Sequence, residues 1–265
     1  MPNRTATRAL NESRRFVVRT ITPGQPLRWL VRGWADLWRA PVPGLLHGLV
    51  VALFGAVLLL LARDRFWLLA GAFSGFLLVA PLAATGLYAI SRALARGEPA
   101  TLATALRAWY PDDGRLVLFG VLLAFAGTGW VVTSAGLVTG FAPAPVTRPE
   151  DFLRQVVLAD TGWLFEGWVV LGALLAAPVF ASSVVAIPLL LDRRIGILAA
   201  VLTSWRAVME NPLPMALWAM LLMGLTLVAM VPALLGLVLA VPWLAHASWH
   251  AYVDLVAPPA GTERG

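Results

Sequence analysis

Six long apolar runs dominate the pattern of hydrophobic and polar residues along the chain. They cover residues 42–62, 66–90, 115–140, 163–191, 213–231 and 233–253. A helix needs roughly 20 residues to cross a hydrocarbon core of about 30 Å, and each run is close to that length or longer. Helices and closed barrels alone satisfy their backbone in lipid, and uninterrupted apolar runs indicate helices. The pattern predicts an all-α membrane protein with about six transmembrane helices.

Three shorter stretches, at 27–39, 100–109 and 195–210, place their apolar residues on one helical face. In the first of them, one face carries Leu27, Leu30, Val31, Trp34 and Trp38, and the other carries Arg28, Arg32, Asp36 and Arg39. Amphipathic helices of this kind lie in the headgroup layer with the apolar face toward lipid, a depth that suits tryptophan. We therefore predict an interfacial helix at each stretch.

These stretches also indicate an internal repeat. Trp34 precedes Pro41 by seven residues and Trp205 precedes Pro212 by seven, and a span follows each proline. Trp109, two residues before Pro111, is a looser match. We predict three membrane hairpins, each preceded by a cytoplasmic interfacial helix. The alternative is that any interfacial helix before a span uses a tryptophan and a proline.

Composition supports the membrane assignment and excludes several chemistries. Hydrophobic residues make up 60% of the chain and charged residues 13%, and the mean hydropathy is +0.80. Soluble domains are nearer half apolar and a quarter charged. The chain has no cysteine, which excludes disulfides, cysteine-ligated metal sites and thiol catalysis. No phosphate-binding glycine loop or nucleophile motif occurs, so we expect no catalytic residues.

The distribution of arginine predicts orientation. All twenty basic residues are arginines, and with the N-terminus inside, sixteen fall in inner segments and four in outer loops. This bias predicts cytoplasmic N- and C-termini. We divide the chain into a basic cytoplasmic arm (1–24), a membrane domain (25–256) and a cytoplasmic tail (257–265). The net charge of +6 is thus explained by topology, and we expect the lipid bilayer rather than nucleic acid as the partner.

Four segments resemble a bacterial family of predicted six-span integral membrane proteins of unknown function. They are QPLRWLVRGWADLWRAPVPGLLHGL at 25–49, GFLLVAPLAATGLYAISRALARGEP at 75–99, SWRAVMENPLPMALWA at 204–219 and LAHASWHAYVDLV at 244–256. Some members of that family carry the label "cytochrome c oxidase subunit I-like". The resemblance implies a multi-pass fold in the inner membrane and no established activity.

The three histidines are the candidates for binding chemistry. His246 and His250 are four residues apart and share a face of the sixth predicted helix, which Asp254 continues. His47 lies near the cytoplasmic start of the first predicted span. A metal would need His47, Asp254 or Asp36 as a further ligand. A haem would need axial histidines from two helices, for example His47 and His246.

The same histidines also suit an interfacial role, because imidazole is amphipathic and aromatic residues surround this end of the helix. We expect no metal or haem, and we expect the imidazoles to bond to backbone carbonyls, hydroxyls or water. Three histidines are too few for the two haems and copper of a catalytic oxidase subunit.

Transport chemistry has few candidate residues. Glu166 lies about one turn inside the fourth predicted span, and no carboxylate or arginine lies near the middle of any span. Hydroxyls that could line a pore, or serve helix packing, are Thr133, Ser134, Ser182 and Ser183. We expect a non-catalytic accessory, scaffold or assembly subunit of a membrane complex. A respiratory complex is one candidate. The alternatives are a small-solute transporter or channel and a haem- or metal-binding membrane protein.

Overall fold

The computed structural model is almost entirely helical. It describes residues 4–62, 65–68, 70–71, 84–109, 114–159 and 162–257. Helices in this part of the chain are α1 (Arg4–Arg14), α2 (Gln25–Arg39), α3 (Pro41–Ala62), α4 (Thr85–Arg96), α5 (Leu102–Arg107), α6 (Arg115–Phe141), α7 (Pro149–Phe152), α8 (Leu164–Ser183), α9 (Ala186–Asp192), α10 (Ile197–Glu210), α11 (Pro212–Met230) and α12 (Leu237–Leu255). A π-helical turn, Leu153–Val157, continues α7. Strands β1 (Val17–Val18) and β2 (Val256–Ala257) form an antiparallel pair.

Four helical segments within the described ranges are long and apolar enough to cross a membrane. They are Pro41–Leu61, Arg115–Phe141, Leu164–Asp192 and Pro212–Met230. These segments match the first, third, fourth and fifth predicted spans. The third of them contains α8 and α9, which a short turn after Ser183 separates. The structure therefore supports an all-α membrane protein and shows four of the six predicted spans.

The other two predicted spans, 66–90 and 233–253, are not among these four segments, for different reasons. Most of the predicted span 66–90 lies outside the described residues, although α4 includes its last turn and a half. The predicted span 233–253 is a helix, α12, but it is not among the four segments that are apolar enough to cross. Its histidines, serine and aspartate lower its hydropathy, and twelve of its residues are buried within the protein. Helix α12 is thus surrounded by other helices more than by lipid.

All three predicted amphipathic stretches are helical, as α2, α5 and α10. In α2 the exposed apolar side chains are Leu27, Val31, Trp34 and Trp38, which belong to the face that was predicted to meet lipid. Asp36 was assigned to the water-facing side, and this assignment is wrong, because the residue is 5% exposed. Helix α12 covers the side of α2 that carries Asp36, and a helical pattern alone does not show which face a distant helix will cover.

Helices α2 and α12 approach closely at a glycine. A β-carbon on Gly33 would lie 2.5 Å from the Ala247 backbone nitrogen and 2.8 Å from its α-carbon. Gly48 of α3 likewise lies against the Val238 backbone of α12. Small residues that let helix backbones touch are a recurrent feature of membrane helix packing. These two contacts place α2 and α3 directly against α12.

Contacts between residues divide the chain into two compact units. The first unit comprises Met1–Ala52, Pro81–Phe119 and Phe180–Gly265, and the second comprises Leu53–Ala80 and Gly120–Val179. The second unit has a small core of Val138, Val146, Val156 and Leu164 with aromatic side chains around it. The first unit contains α2, α4, α12 and all three histidines.

The segment 1–24, expected as a basic arm, is folded against the first unit from Arg4 onward. Helix α1 packs on α10, and the Ser13 and Thr203 hydroxyls lie 2.9 Å apart. Strand β1 pairs with β2, with Val17 opposite Ala257. The two ends of the described chain are therefore adjacent.

Candidate functional site in the first unit

One carboxylate connects two of the three histidines. His250 Nε2 lies 2.8 Å from Asp36 Oδ2, so a carboxylate of α2 binds an imidazole of α12. The Ser91 hydroxyl of α4 donates to the same oxygen at 2.8 Å. The Gly33–Ala247 contact makes this possible, because it brings α2 close enough for a short aspartate side chain to reach α12. Asp36 therefore links three helices.

The chain of hydrogen bonds continues from Ser91 to His246. Ser91 Oγ lies 2.8 Å from His246 Nδ1. A hydroxyl has one hydrogen, and Ser91 gives it to Asp36, so the His246 Nδ1–H donates to Ser91 Oγ. This assignment follows from the bonding network. It leaves His246 Nε2 with a free lone pair.

His47 has the same arrangement with a different partner. Its Nδ1 lies 2.6 Å from the backbone carbonyl oxygen of Pro43, four residues earlier on α3. A carbonyl only accepts, so Nδ1 carries the hydrogen and Nε2 carries a lone pair. The Trp109 ring packs edge-on against the imidazole, with ring centroids 5.1 Å apart. His47 thus bonds to a backbone carbonyl and His246 to a hydroxyl, two of the partner types that we expected for the imidazoles.

The Nε2 atoms of His47 and His246 are buried and have no hydrogen-bond partner. His246 is 0% exposed and His47 is 8% exposed. Leaving a buried acceptor unpaired costs about 1–3 kcal/mol, so two such atoms in one small region call for an explanation.

Glycines provide the space around both nitrogens. A β-carbon on Gly44 would lie 3.8 Å from His246 Nε2, and Gly44 is three residues before His47 on α3. A β-carbon on Gly86 of α4 would lie 3.0 Å from His47 Nε2. The His47 ring therefore contacts the first turn of α3 through Nδ1, at Pro43, and directs Nε2 toward α4. His246 Nε2 lies beside Gly44 of the same turn.

Asp254 does not join the histidines, although it follows them on α12. Its carboxylate accepts from Trp29 Nε1 at 2.8 Å and from Gln25 Nε2 at 2.5 Å, and it forms an ion pair with Arg32. All three partners are on α2. Asp254 therefore fixes α2 to the end of α12 instead of extending a binding site.

A third buried carboxylate, Asp192, was not singled out from the sequence. It lies 3.7 Å from Arg92 and 3.6 Å from Arg96, both on α4, and the Tyr252 hydroxyl of α12 donates to it at 2.9 Å. A single acidic residue directly before Arg193 and Arg194 was the available signal. Arg193 also pairs with Asp192 at 3.0 Å, but the partners on α4 and α12 are distant in sequence, so the pattern did not reveal the cluster.

The pKa of Asp36 is lower than that of an ordinary aspartate. Burial acts to raise it, but the hydrogen bonds from His250 and Ser91 outweigh burial by stabilising the charged form. Asp36 is therefore ionised at neutral pH, which is the state that accepts both bonds.

The four hydroxyls considered as pore lining bond to protein groups, two of them between helices and two within their own helix. Ser134 accepts from Trp168 Nε1 at 2.6 Å, and Ser182 accepts from Trp205 Nε1 at 2.9 Å. Thr133 and Ser183 donate to carbonyls of their own helix, at Gly129 and Phe180. Glu166 lies in the first turn of α8, at the end of a span. These contacts favour the packing role.

The histidines were also considered as ligands for a metal or a haem. Within the described ranges, no three histidine, aspartate or glutamate side chains are placed to hold one metal ion.

Comparison with known proteins agrees with the fold. A family model described as "Predicted integral membrane protein (DUF2189)" matches residues 68–192. No curated protein and no solved structure matches the chain. The family match and the four apolar helices together identify the chain as a multi-pass integral membrane protein.

Proposed function

We propose that the protein is a non-catalytic accessory or scaffold subunit of a complex in the bacterial inner membrane. The observation that carries this proposal is the use of three buried or half-buried carboxylates in the first unit. Asp36, Asp192 and Asp254 each bind side chains from at least one other helix of the first unit. They hold helices together and leave no free carboxylate in the network to bind a solute.

The charge distribution in the spans supports this proposal over transport. Of the four candidate spans, only Leu164–Asp192 contains acidic residues, and Glu166 and Asp192 lie at its two ends. Carboxylates on an ion or proton path normally lie inside the membrane. A scaffold needs none at that depth.

Cytoplasmic termini are part of the proposal. The excess of arginine in the inner segments favours this orientation. The pairing of Val17 with Ala257 supports one part of this orientation, because paired strands must lie on the same side of the membrane, whichever side that is. Reporter fusions at residue 12, within 97–112 and after 256 should report the cytoplasm, and fusions within 143–160 should report the periplasm. A periplasmic signal from 97–112 would overturn this orientation.

Site-specific photo-crosslinking in native membranes tests the accessory role. A crosslinking residue would replace Val31, Leu60, Phe125 or Val231, each at least 70% exposed, and Leu37, fully buried, is the control position. We expect one protein partner to be captured repeatedly from a subset of the exposed positions and never from position 37. Lipid adducts alone at every position, combined with solute flux through the purified protein in liposomes, would favour a transporter and refute the proposal.

A further inference from the structure

We propose that a cleft in the second unit binds the headgroup of an anionic phospholipid. The cleft has a volume of about 670 Å³, which is within the range of ligand-binding pockets. One wall is the segment 65–68, and the other is the segment 142–147, which follows α6. The backbone N–H of Phe66 donates to the carbonyl oxygen of Thr147 at 2.9 Å and joins the two walls.

The position of the cleft matches the depth of phospholipid headgroups. The first candidate span, Pro41–Leu61, has 21 residues and rises about 31 Å, close to the thickness of a hydrocarbon core of about 30 Å. Arg65 is the fourth residue after this span, so it lies near the edge of the core. Trp67 follows it, at a depth where tryptophan is common. In the proposed orientation, this end of the span faces the periplasm and the outer leaflet.

The cleft has hydrogen-bond donors that the protein does not use. The Arg65 guanidinium is exposed and forms no ion pair or hydrogen bond within the described ranges. The indole N–H of Trp67 is likewise unbonded in this part of the chain. The two threonine hydroxyls of the lining already donate, Thr139 to a carbonyl of its own helix and Thr147 to Asp151. The side-chain donors left for a ligand therefore belong to Arg65 and Trp67.

These donors favour an anion. A guanidinium has N–H donors only, and their planar arrangement matches the oxygens of a phosphate. The described lining contains no carboxylate that would bind an ammonium group or a metal ion. Asp151 bonds to Thr147 at the margin of the lining, but its Oδ2 already accepts from the Thr147 N–H, the Thr147 hydroxyl and the Arg148 N–H. The charge available to a ligand in the described lining is therefore the positive charge of Arg65.

The rest of the lining suits the apolar part of a lipid. It includes Phe66, Pro143 and Pro145, and also Leu68, which is 54% exposed. The Phe66 ring stacks on Phe152 with ring centroids 5.1 Å apart, which fixes that wall. A phospholipid combines a phosphate with glycerol and acyl chains, so it can contact both the guanidinium and these apolar side chains. A zwitterionic headgroup adds an ammonium without a carboxylate partner in the described lining, and an anionic headgroup therefore fits better.

Native mass spectrometry of the purified full-length protein in detergent micelles tests the site. Phosphatidylglycerol and phosphatidylcholine with the same acyl chains are the two lipid probes. We expect one phosphatidylglycerol molecule per chain to bind more tightly than any phosphatidylcholine. Arg65→Gln should weaken this binding at least about tenfold, the scale of a hydrogen bond to a charged group. Trp67→Phe keeps an aromatic ring and loses the N–H, so it should weaken binding by a smaller factor.

Arg154→Gln is the matched control, because it removes the same charge from the same unit. Arg154 is exposed in the π-helical turn and does not line the cleft. We expect this variant to bind phosphatidylglycerol as the wild type does. A second control is sn-glycerol 3-phosphate, which carries the phosphate without acyl chains. At the same concentration as the lipid, it should not displace phosphatidylglycerol.

Equal binding of the two lipids by the wild type would overturn the site. Equal loss in Arg154→Gln would do the same, because it would indicate general attraction between charges. Displacement by sn-glycerol 3-phosphate would show a site for a soluble anion and also contradict the proposal. If Arg65→Gln fails to fold, a photoreactive phosphatidylglycerol on the wild type decides. Attachment to the segments 65–68 or 142–147 supports the site, and attachment elsewhere alone refutes it.

Discussion

The two units of the protein join their helices by different means. In the first unit, buried or half-buried carboxylates on α2, α9 and α12 bind side chains of neighbouring helices, and glycines allow close backbone contact. In the second unit, aromatic rings pack against one another around Trp168, which contacts Trp130, Phe152 and Phe165. Its polar bonds include Trp168 to Ser134 and the Asp151 cap of α7.

This difference shows how the two kinds of contact specify structure. A carboxylate that accepts several directed bonds fixes the rotation and register of each helix it contacts, and it carries a large penalty if a partner is lost. Aromatic contacts contribute area and prefer certain ring angles, but they tolerate repacking. We therefore expect the first unit to be rigid and sensitive to substitution, and the second to be more permissive.

Removal of Asp36 should have the largest effect. Asp36→Ala leaves His250 Nε2 and the Ser91 hydroxyl without their partner, and each of these two bonds to a charged carboxylate contributes about 1.5–3 kcal/mol. Unfolding in detergent mixtures, followed by tryptophan fluorescence, would measure this loss. Asp151→Ala in the second unit is the control and should change stability much less, because the Asp151 side chain is exposed to solvent. Equal losses would remove the distinction between the units.

A β-carbon at the helix crossing should have the next largest effect. Gly33→Ala would place a methyl group against the Ala247 backbone, which cannot move aside as a side chain can, and overpacking of this kind costs about 3 kcal/mol at the upper end. Gly136→Ala in α6 meets no atom within 4 Å and should be neutral or stabilising by up to about 1 kcal/mol. The same unfolding assay compares them, and a neutral Gly33→Ala would show that the crossing is looser than described.

Two tryptophan substitutions should separate the roles of indole nitrogens. Trp29→Phe loses the bond to the Asp254 carboxylate and should cost about 2 kcal/mol, the range for a bond to a charged group. Trp168→Phe loses a bond to the neutral Ser134 hydroxyl and should cost about 1 kcal/mol. A larger loss for Trp168→Phe would mean that the second unit also depends on directed polar bonds.

The smallest expected effect is a dependence of stability on acid pH. Asp36 has a folded-state pKa below its ordinary value of 3.8, so between the two values the unfolded chain binds more protons. Its stabilising contribution is therefore complete above the ordinary value and is lost as pH falls through the lowered pKa. Unfolding curves from neutral to acid pH should show this slope in the wild type and a shallower slope in Asp36→Asn. Identical slopes would exclude a contribution from this carboxylate.

Local pattern predicted most of the long helices but not their partners, and it did not predict α1 within the segment expected as a basic arm. Apolar runs predicted α3, α6, α8 and α11, and amphipathic spacing predicted α2. The same spacing assigned Asp36 to water, because the helix that covers it lies more than 200 residues later. Helix α12 was predicted as a span from its length, and its burial by neighbouring helices depends on contacts that hydropathy does not contain.

The candidate site was predicted in part. Helical spacing correctly placed His246 and His250 on one helix, and His47 was considered as their partner. The sequence extended the stripe to Asp254, but Arg32, Gln25 and Trp29 of α2 bind that carboxylate. Ser91 was not singled out, since a lone serine just after the predicted span 66–90 has no distinguishing pattern, although it lies within the segment 75–99 that carries part of the resemblance. Its role depends on α2, α4 and α12 meeting at one point.

The contact between the ends of the chain has a consequence for biosynthesis. Helix α2 is synthesised well before α12, because His250, which binds Asp36, is 214 residues further along. The ribosome must translate through β2 before α12 can cover α2 and β2 can pair with β1. Until then Asp36 has no histidine partner, and the first unit is incomplete. Insertion of the early helices alone therefore does not complete the first unit, and a chain that stops before α12 lacks the partner of Asp36.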